Sequence, residues 1–78
     1  MEAKKIWFEN DFIFVETTKN KIGKMHLEWF PKLLNTQKKE LENFELWSDN
    51  SWIHWENLGE DLSVEGFFLF NKKTELSD

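Results

Sequence analysis

The chain has no cysteine, one proline, three glycines and no long apolar run in its 78 residues. Without cysteine, disulfides and thiolate metal sites are excluded. A domain this short buries a modest share of its surface, so packing alone must compensate. No apolar stretch approaches the roughly 20 residues that span a bilayer. Met1-Glu2-Ala3-Lys4-Lys5 leads directly into an alternating segment, not into the apolar region of a signal peptide, so a cytoplasmic protein with no membrane association is the expectation. Gly23, Gly59 and Gly66 stand isolated, and no glycine-rich phosphate loop or dinucleotide fingerprint can be built from them. Positive charge is also scarce: ten basic residues face fifteen acidic ones, for a net charge of −5. That balance argues against nonspecific binding to a phosphate backbone, which needs a basic face.

Aromatic side chains are abundant, with five Trp and eight Phe. Each such ring buries roughly 150–250 Å², and these rings are the candidate compensation for the small size. The length allows one domain, taken as residues 1–70. The tail 71–78 loses the apolar pattern and is expected to be disordered.

Lys4 to Phe8 and Phe12 to Thr17 alternate as half-buried strands. Asn10-Asp11 between them tolerates the positive φ of a two-residue hairpin loop. That loop pairs Phe8 with Ile13, Trp7 with Phe14, Ile6 with Val15, and Lys5 with Glu16 as an ion pair. One face then carries Ile6, Phe8, Ile13 and Val15; the other carries Trp7, Phe12 and Phe14. The next turn, Thr18-Lys19-Asn20, leads into a third strand from Lys21 to about Leu27. A three-residue loop places Gly23, Met25 and Leu27 on the aliphatic face, whereas a two-residue loop places them under Phe12 and Phe14, because one residue of slip exchanges the faces. The three-residue loop is preferred, since it keeps one continuous aliphatic face and leaves Lys24 and His26 wetter. Pro31 ends the strand and biases Phe30 towards extended geometry, and Leu33 and Leu34 dock the connection. Thr36 is placed as the cap of a helix running to about Leu46, with Leu41, Phe44 and Trp47 as a narrow apolar stripe. Lys38 and Lys39 are cations in its first turn, where the helix dipole disfavours them.

After the loop Ser48-Asp49-Asn50-Ser51, Trp52 to Trp55 reads as a short strand and Asn57 to Asp61 as a turn. Ser63 is a good N-cap for a terminal helix, with Glu65 favoured in its first turn. Gly66 inside that helix costs about 1 kcal/mol relative to Ala, which suggests close backbone approach to the sheet. The expected architecture is therefore α+β: a three-stranded antiparallel meander plus a short fourth strand, packed with two helices.

Leu27-Glu28-Trp29-Phe30-Pro31-Lys32-Leu33, Asn43-Phe44-Glu45-Leu46, Ile53-His54-Trp55 and the run from Leu58 to Phe67 together resemble a bacterial family, the domain of unknown function DUF2442. The resemblance spans Ile6 to Phe68. Its motif positions are Trp29, Phe30, Pro31, His54, Trp55, Leu58, Asp61, Leu62, Ser63 and Gly66, and the run from Leu58 to Phe67 is its most specific part. Gly59 departs from an acidic residue usual in that pattern, Glu56 and His26 from frequent prolines, and Gly23 from an apolar strand position. The resemblance implies an α+β domain and no established activity. Longer relatives carry a helix-turn-helix after the domain, and stand-alone relatives are often encoded beside another small protein, as in toxin–antitoxin-type pairs; this is an analogy of context.

Three candidate chemistries follow from the residues. His26 and His54, with Glu56, Glu60 and Asp61, contain metal-ligand types but match no ligand spacing; the ordinary reading of His54 is a partly buried strand histidine. The acidic group Glu56, Glu60, Asp61 and Glu65 offers paired carboxylates, though helix capping and a solvated face account for it, and it could also meet a basic partner surface. The aromatic face of Trp7, Phe12 and Phe14 has the composition of a protein–protein hot spot; alternatively a helix covers it and the rings are core. No catalytic constellation and no cofactor site is assigned. The leading reading is a non-enzymatic interaction module that binds a small partner protein, or itself, through Trp7, Phe12 and Phe14 or through Glu60-Asp61. An accessory domain of a nucleic-acid-associated regulator is the second reading, and a small metal-dependent enzyme the third.

Overall fold

Strand β1 (Ala3–Glu9) turns through Asn10 and Asp11 into β2 (Phe12–Thr17). Both turn residues have positive φ, 50° and 65°, which matches the right-handed twist of the two strands they join. The pairing is as expected: Lys5 opposite Glu16, Ile6 opposite Val15, Trp7 opposite Phe14 and Phe8 opposite Ile13. The next loop has three residues. Asn20 is left-handed at 63°, the Thr17 amide donates to the Lys21 carbonyl at 2.8 Å, and the buried Thr17 hydroxyl accepts from the Lys19 and Lys21 amides. Strand β3 (Ile22–His26) therefore pairs Gly23 with Val15 and Met25 with Ile13. Gly23, Met25 and Leu27 are all buried. The computed structural model describes residues 1–69; the expected disordered tail, 71–78, lies outside the described residues.

The middle of the chain departs from the expectation. A 3-10 turn (Leu27–Trp29), then α1 (Pro31–Leu34) and α2 (Lys38–Leu41), occupy the connection. Leu33 is fully buried, but Leu34 is exposed. The helix expected from Thr36 to about Leu46 is a single turn: Gln37 is its N-cap, without a side-chain hydrogen bond, and Glu42 ends it. With two lysines in the first turn and Leu41 as its one buried side chain, the segment has too little apolar contact to propagate a helix. The chain instead extends at Glu45–Trp47, strand β4, which pairs with β5 (Trp52–Trp55). Ser48, Asp49 and Asn50 between them are all left-handed, at 53°, 58° and 65°. Short polar side chains that bond their own backbone make such a turn tolerable without glycine.

Trp52–Trp55 is thus the centre of a second sheet, not a fourth strand of the first. Its other neighbour is β6 (Glu60–Ser63), so Glu60 and Asp61 are strand residues; the turn is 56–59, with Gly59 at φ 63°. The fold is α+β, with two three-stranded antiparallel sheets in the orders β1-β2-β3 and β4-β5-β6. Residues 64–69 are helical, and the Ser63 hydroxyl accepts from the Gly66 amide at 3.4 Å, the expected cap.

Ile13, Val15 and Met25 from the first sheet, Ile53, Trp55 and Leu62 from the second, and Val64 and Phe67 from the helical segment form one buried core. Aromatic contacts bridge the sheets: Phe44 touches Phe8 on one side and Trp55 on the other, each at 6.2 Å between ring centroids. The Trp55 indole N–H donates to the Leu41 carbonyl at 2.8 Å, satisfying an acceptor that α2 leaves open at its C-terminus. Gly23 is where the helical segment meets the first sheet. A Cβ there would lie 3.1 Å from Phe67 Cβ and from two Phe68 ring carbons. At Gly66 a Cβ would meet Ser63 Cβ at an ordinary 3.7 Å, so the close approach expected at Gly66 is found at Gly23.

Candidate interaction surfaces

Side chains alternate across a strand, so each sheet that turns one face to the core turns the other outward. On the first sheet the register lays the outward positions in three rows: Lys5–Glu16–Ile22, Trp7–Phe14–Lys24 and Glu9–Phe12–His26. Trp7 and Phe14 stack with parallel rings at 5.3 Å. Phe12 touches Phe14 at 6.1 Å and His26 at 4.4 Å, and His26 in turn touches Trp29 at 5.0 Å. Lys5 Nζ lies 5.4 Å from the Trp7 ring and Lys24 Nζ 4.8 Å from the Phe12 ring, within the range of cation–π attraction. The rings thus form one strip, Trp7–Phe14–Phe12–His26–Trp29, edged by two cations and by Glu9 and Glu16. Among the described residues, Trp7, Phe12 and Phe14 belong neither to the buried core nor to the side chains packed against it; all three are half-buried.

The second sheet has shorter strands and a different outer face. Its rows are Glu45–His54–Asp61 and Trp47–Trp52–Ser63. His54 Nδ1 donates to Asp61 Oδ1, since the carboxylate only accepts. Trp47 stacks on the His54 ring at 3.8 Å. Trp47 and Trp52 remain 49% and 44% exposed, and with Ser48 and Asp61 they line a cleft of about 270 Å³.

These positions locate the residues singled out in the sequence. Trp7, Phe12 and Phe14 lie together as read. Glu60 and Asp61 are consecutive residues of β6 and point to opposite faces. His26 and His54 lie on different sheets, and among the described residues no group of three or more His, Asp or Glu side chains is gathered as a metal would require. Most of the motif residues build architecture: Trp55 and Leu62 are core, Phe30 and Leu58 pack against it, Pro31 opens α1 and Ser63 caps the helical segment. Sequence reasoning missed Trp47 and Trp52 as an outward pair. The available signal was the polar run Ser48-Asp49-Asn50-Ser51 flanked by a tryptophan on each side, which fits a hairpin better than the end of a helix.

No helix among the described residues is long and apolar enough to cross a membrane. A family model described as a protein of unknown function (DUF2442) matches residues 3–72. No curated protein and no solved structure matches the chain.

Proposed function

The chain belongs to the DUF2442 family, whose description assigns no role, and on that premise we propose from its surfaces that it is a non-enzymatic protein-interaction module of the bacterial cytoplasm. The carrying observation is the aromatic strip on the outer face of the first sheet. Large rings held in a fixed stack present contact area at little conformational cost, and Trp is enriched at interface hot spots. The strip extends the three-residue patch read from the sequence to five rings through His26 and Trp29. The partner is a small protein, as in a toxin–antitoxin-type pair. Glu9 and Glu16 share the face with Lys5 and Lys24, so its charges cancel. A phosphate backbone gains little on such a face, which favours a protein partner over a nucleic acid.

Trp7→Ala combined with Phe14→Ser tests this reading. The variant is expected to keep a cooperative unfolding transition and to lose a small protein that the tagged wild-type chain retains from host lysate. Loss of folding in the variant would show that the face supports the domain instead. Equal retention by both chains would place the interface elsewhere.

A further inference from the structure

We propose that the cleft between Trp47 and Trp52 receives an arginine side chain of a partner protein. Trp47 and Trp52 are direct cross-strand partners on the outer face of the second sheet, which brings their side chains within contact range of one another. Each is close to half exposed. Asp61, whose side chain is 54% exposed, completes the lining with Ser48. The contact with His54 uses one oxygen of the Asp61 carboxylate, and a carboxylate offers about four acceptor sites. The stack of Trp47 on His54, and the bond from His54 to Asp61, hold one wall and the acceptor in place before any ligand arrives, which lowers the ordering cost of binding.

The chemistry selects a guanidinium. It is planar, so it stacks on an indole face, and its fork of N–H donors matches a carboxylate; it is also more weakly hydrated than an ammonium. Lysine would satisfy the carboxylate without the stack. An acidic group would face Asp61 and, across β5, Glu45, in a chain of net charge −5. The ten basic residues of this chain are all lysine, so a second copy cannot supply the ligand and the arginine comes from a different polypeptide. This site lies on the other sheet from the aromatic strip and does not depend on it.

The test is an NMR titration of the full chain with N-acetyl-arginine amide, N-acetyl-lysine amide and N-acetyl-glutamate amide, following the indole N–H signals of Trp47 and Trp52. The arginine amide is expected to shift both signals saturably, with the lysine amide weaker and the glutamate amide inert. Asp61→Asn and Trp52→Ala are each expected to weaken the arginine response by roughly 2–5-fold, given the usual strength of exposed ion-pair and cation–π contacts. Trp52→Ala removes a half-exposed ring, so it stays informative if Asp61→Asn disturbs the sheet through His54. Trp7→Ala/Phe14→Ser is expected to leave the response unchanged, which separates this site from the strip. Equal responses to arginine and lysine, a response that survives both Asp61→Asn and Trp52→Ala, or no saturable shift would each overturn the assignment.

Discussion

The two sheets have the same number of strands and the same antiparallel pairing but unequal means of support. The first has strands of seven, six and five residues, joined by turns that use Asn10, Asp11 and Asn20 at positive φ. It is long enough for rows of side chains to stack on both faces. The second has strands of three, four and four residues, too short for their ladders to hold a sheet alone. From within it is held by Ile53, Leu62 and above all Trp55, which is buried, reaches Phe44 by its ring and Leu41 by its indole N–H. Backbone bonds tie it to the rest, from the Ala3 amide to the Asn50 carbonyl at 2.7 Å and from the Val64 amide to the Ser51 carbonyl at 3.0 Å. A long sheet distributes its stability over many cross-strand pairs; a short one concentrates it in a few contacts to its neighbours.

Substitutions within β5 sharpen that contrast most. Trp55→Ala removes a buried ring and leaves the Leu41 carbonyl without its donor, at a cost of about 3–5 kcal/mol. That is comparable to the whole stability of a domain this size, so the variant is expected to be unfolded or nearly so at 25 °C by circular dichroism. Trp52→Ala, three residues earlier on the outward face, is expected to change stability by about 0.5 kcal/mol or less. If urea unfolding gave the two variants similar midpoints, the second sheet would not depend on its inner face as described.

The same contrast explains what could be read from the sequence. The first sheet was legible because alternation over two consecutive strands fixes both register and faces, and Asn10-Asp11 fixes the loop. The three-residue loop at Thr18-Lys19-Asn20 followed from keeping Gly23, Met25 and Leu27 with Ile13 and Val15. The second sheet was not legible as a sheet. Glu45–Trp47 is too short to display a period of two, and Leu41, Phe44 and Trp47 at three-residue spacing mimic a helical stripe. Strand β6 was hidden similarly, because Asn57, Gly59 and Asp61 mark a turn over 57–61, whereas Glu60 and Asp61 join the ladder. For the surfaces, Trp7, Phe12 and Phe14 were found through alternation. The His54–Asp61 contact was not, since it needs the β5–β6 pairing that places residues seven apart opposite each other.

Where the first sheet meets the helical segment, Gly23→Ala is the next largest effect. The added methyl would sit 3.1 Å from Phe67 Cβ, a backbone-anchored atom that cannot swing aside. Overpacking of this kind costs about 1–3 kcal/mol, expected as a lower urea midpoint with an unchanged slope. An unchanged midpoint would mean that the helical segment is not seated on β3 as tightly as the geometry states.

Gly66→Ala carries the opposite sign, with a smaller magnitude than Gly23→Ala. Gly66 lies in the helical segment, where an added methyl would meet Ser63 Cβ at an ordinary 3.7 Å. The Ser63 hydroxyl bonds to the Gly66 amide, a contact that alanine retains. Removing the conformational freedom of glycine from a helix stabilises by about 0.5–1 kcal/mol, which raises the melting temperature by roughly 2–8 °C in a domain of this length. Two glycines in one small domain should therefore answer the same substitution in opposite directions. Sequence alone assigned the crowded position to Gly66, because glycine within a short helix is the more conspicuous anomaly. The strand glycine is the one with a ring and a Cβ against it. Destabilisation by Gly66→Ala would return the crowding to the helix; stabilisation there with destabilisation at Gly23 places it on β3, under Phe67 and Phe68.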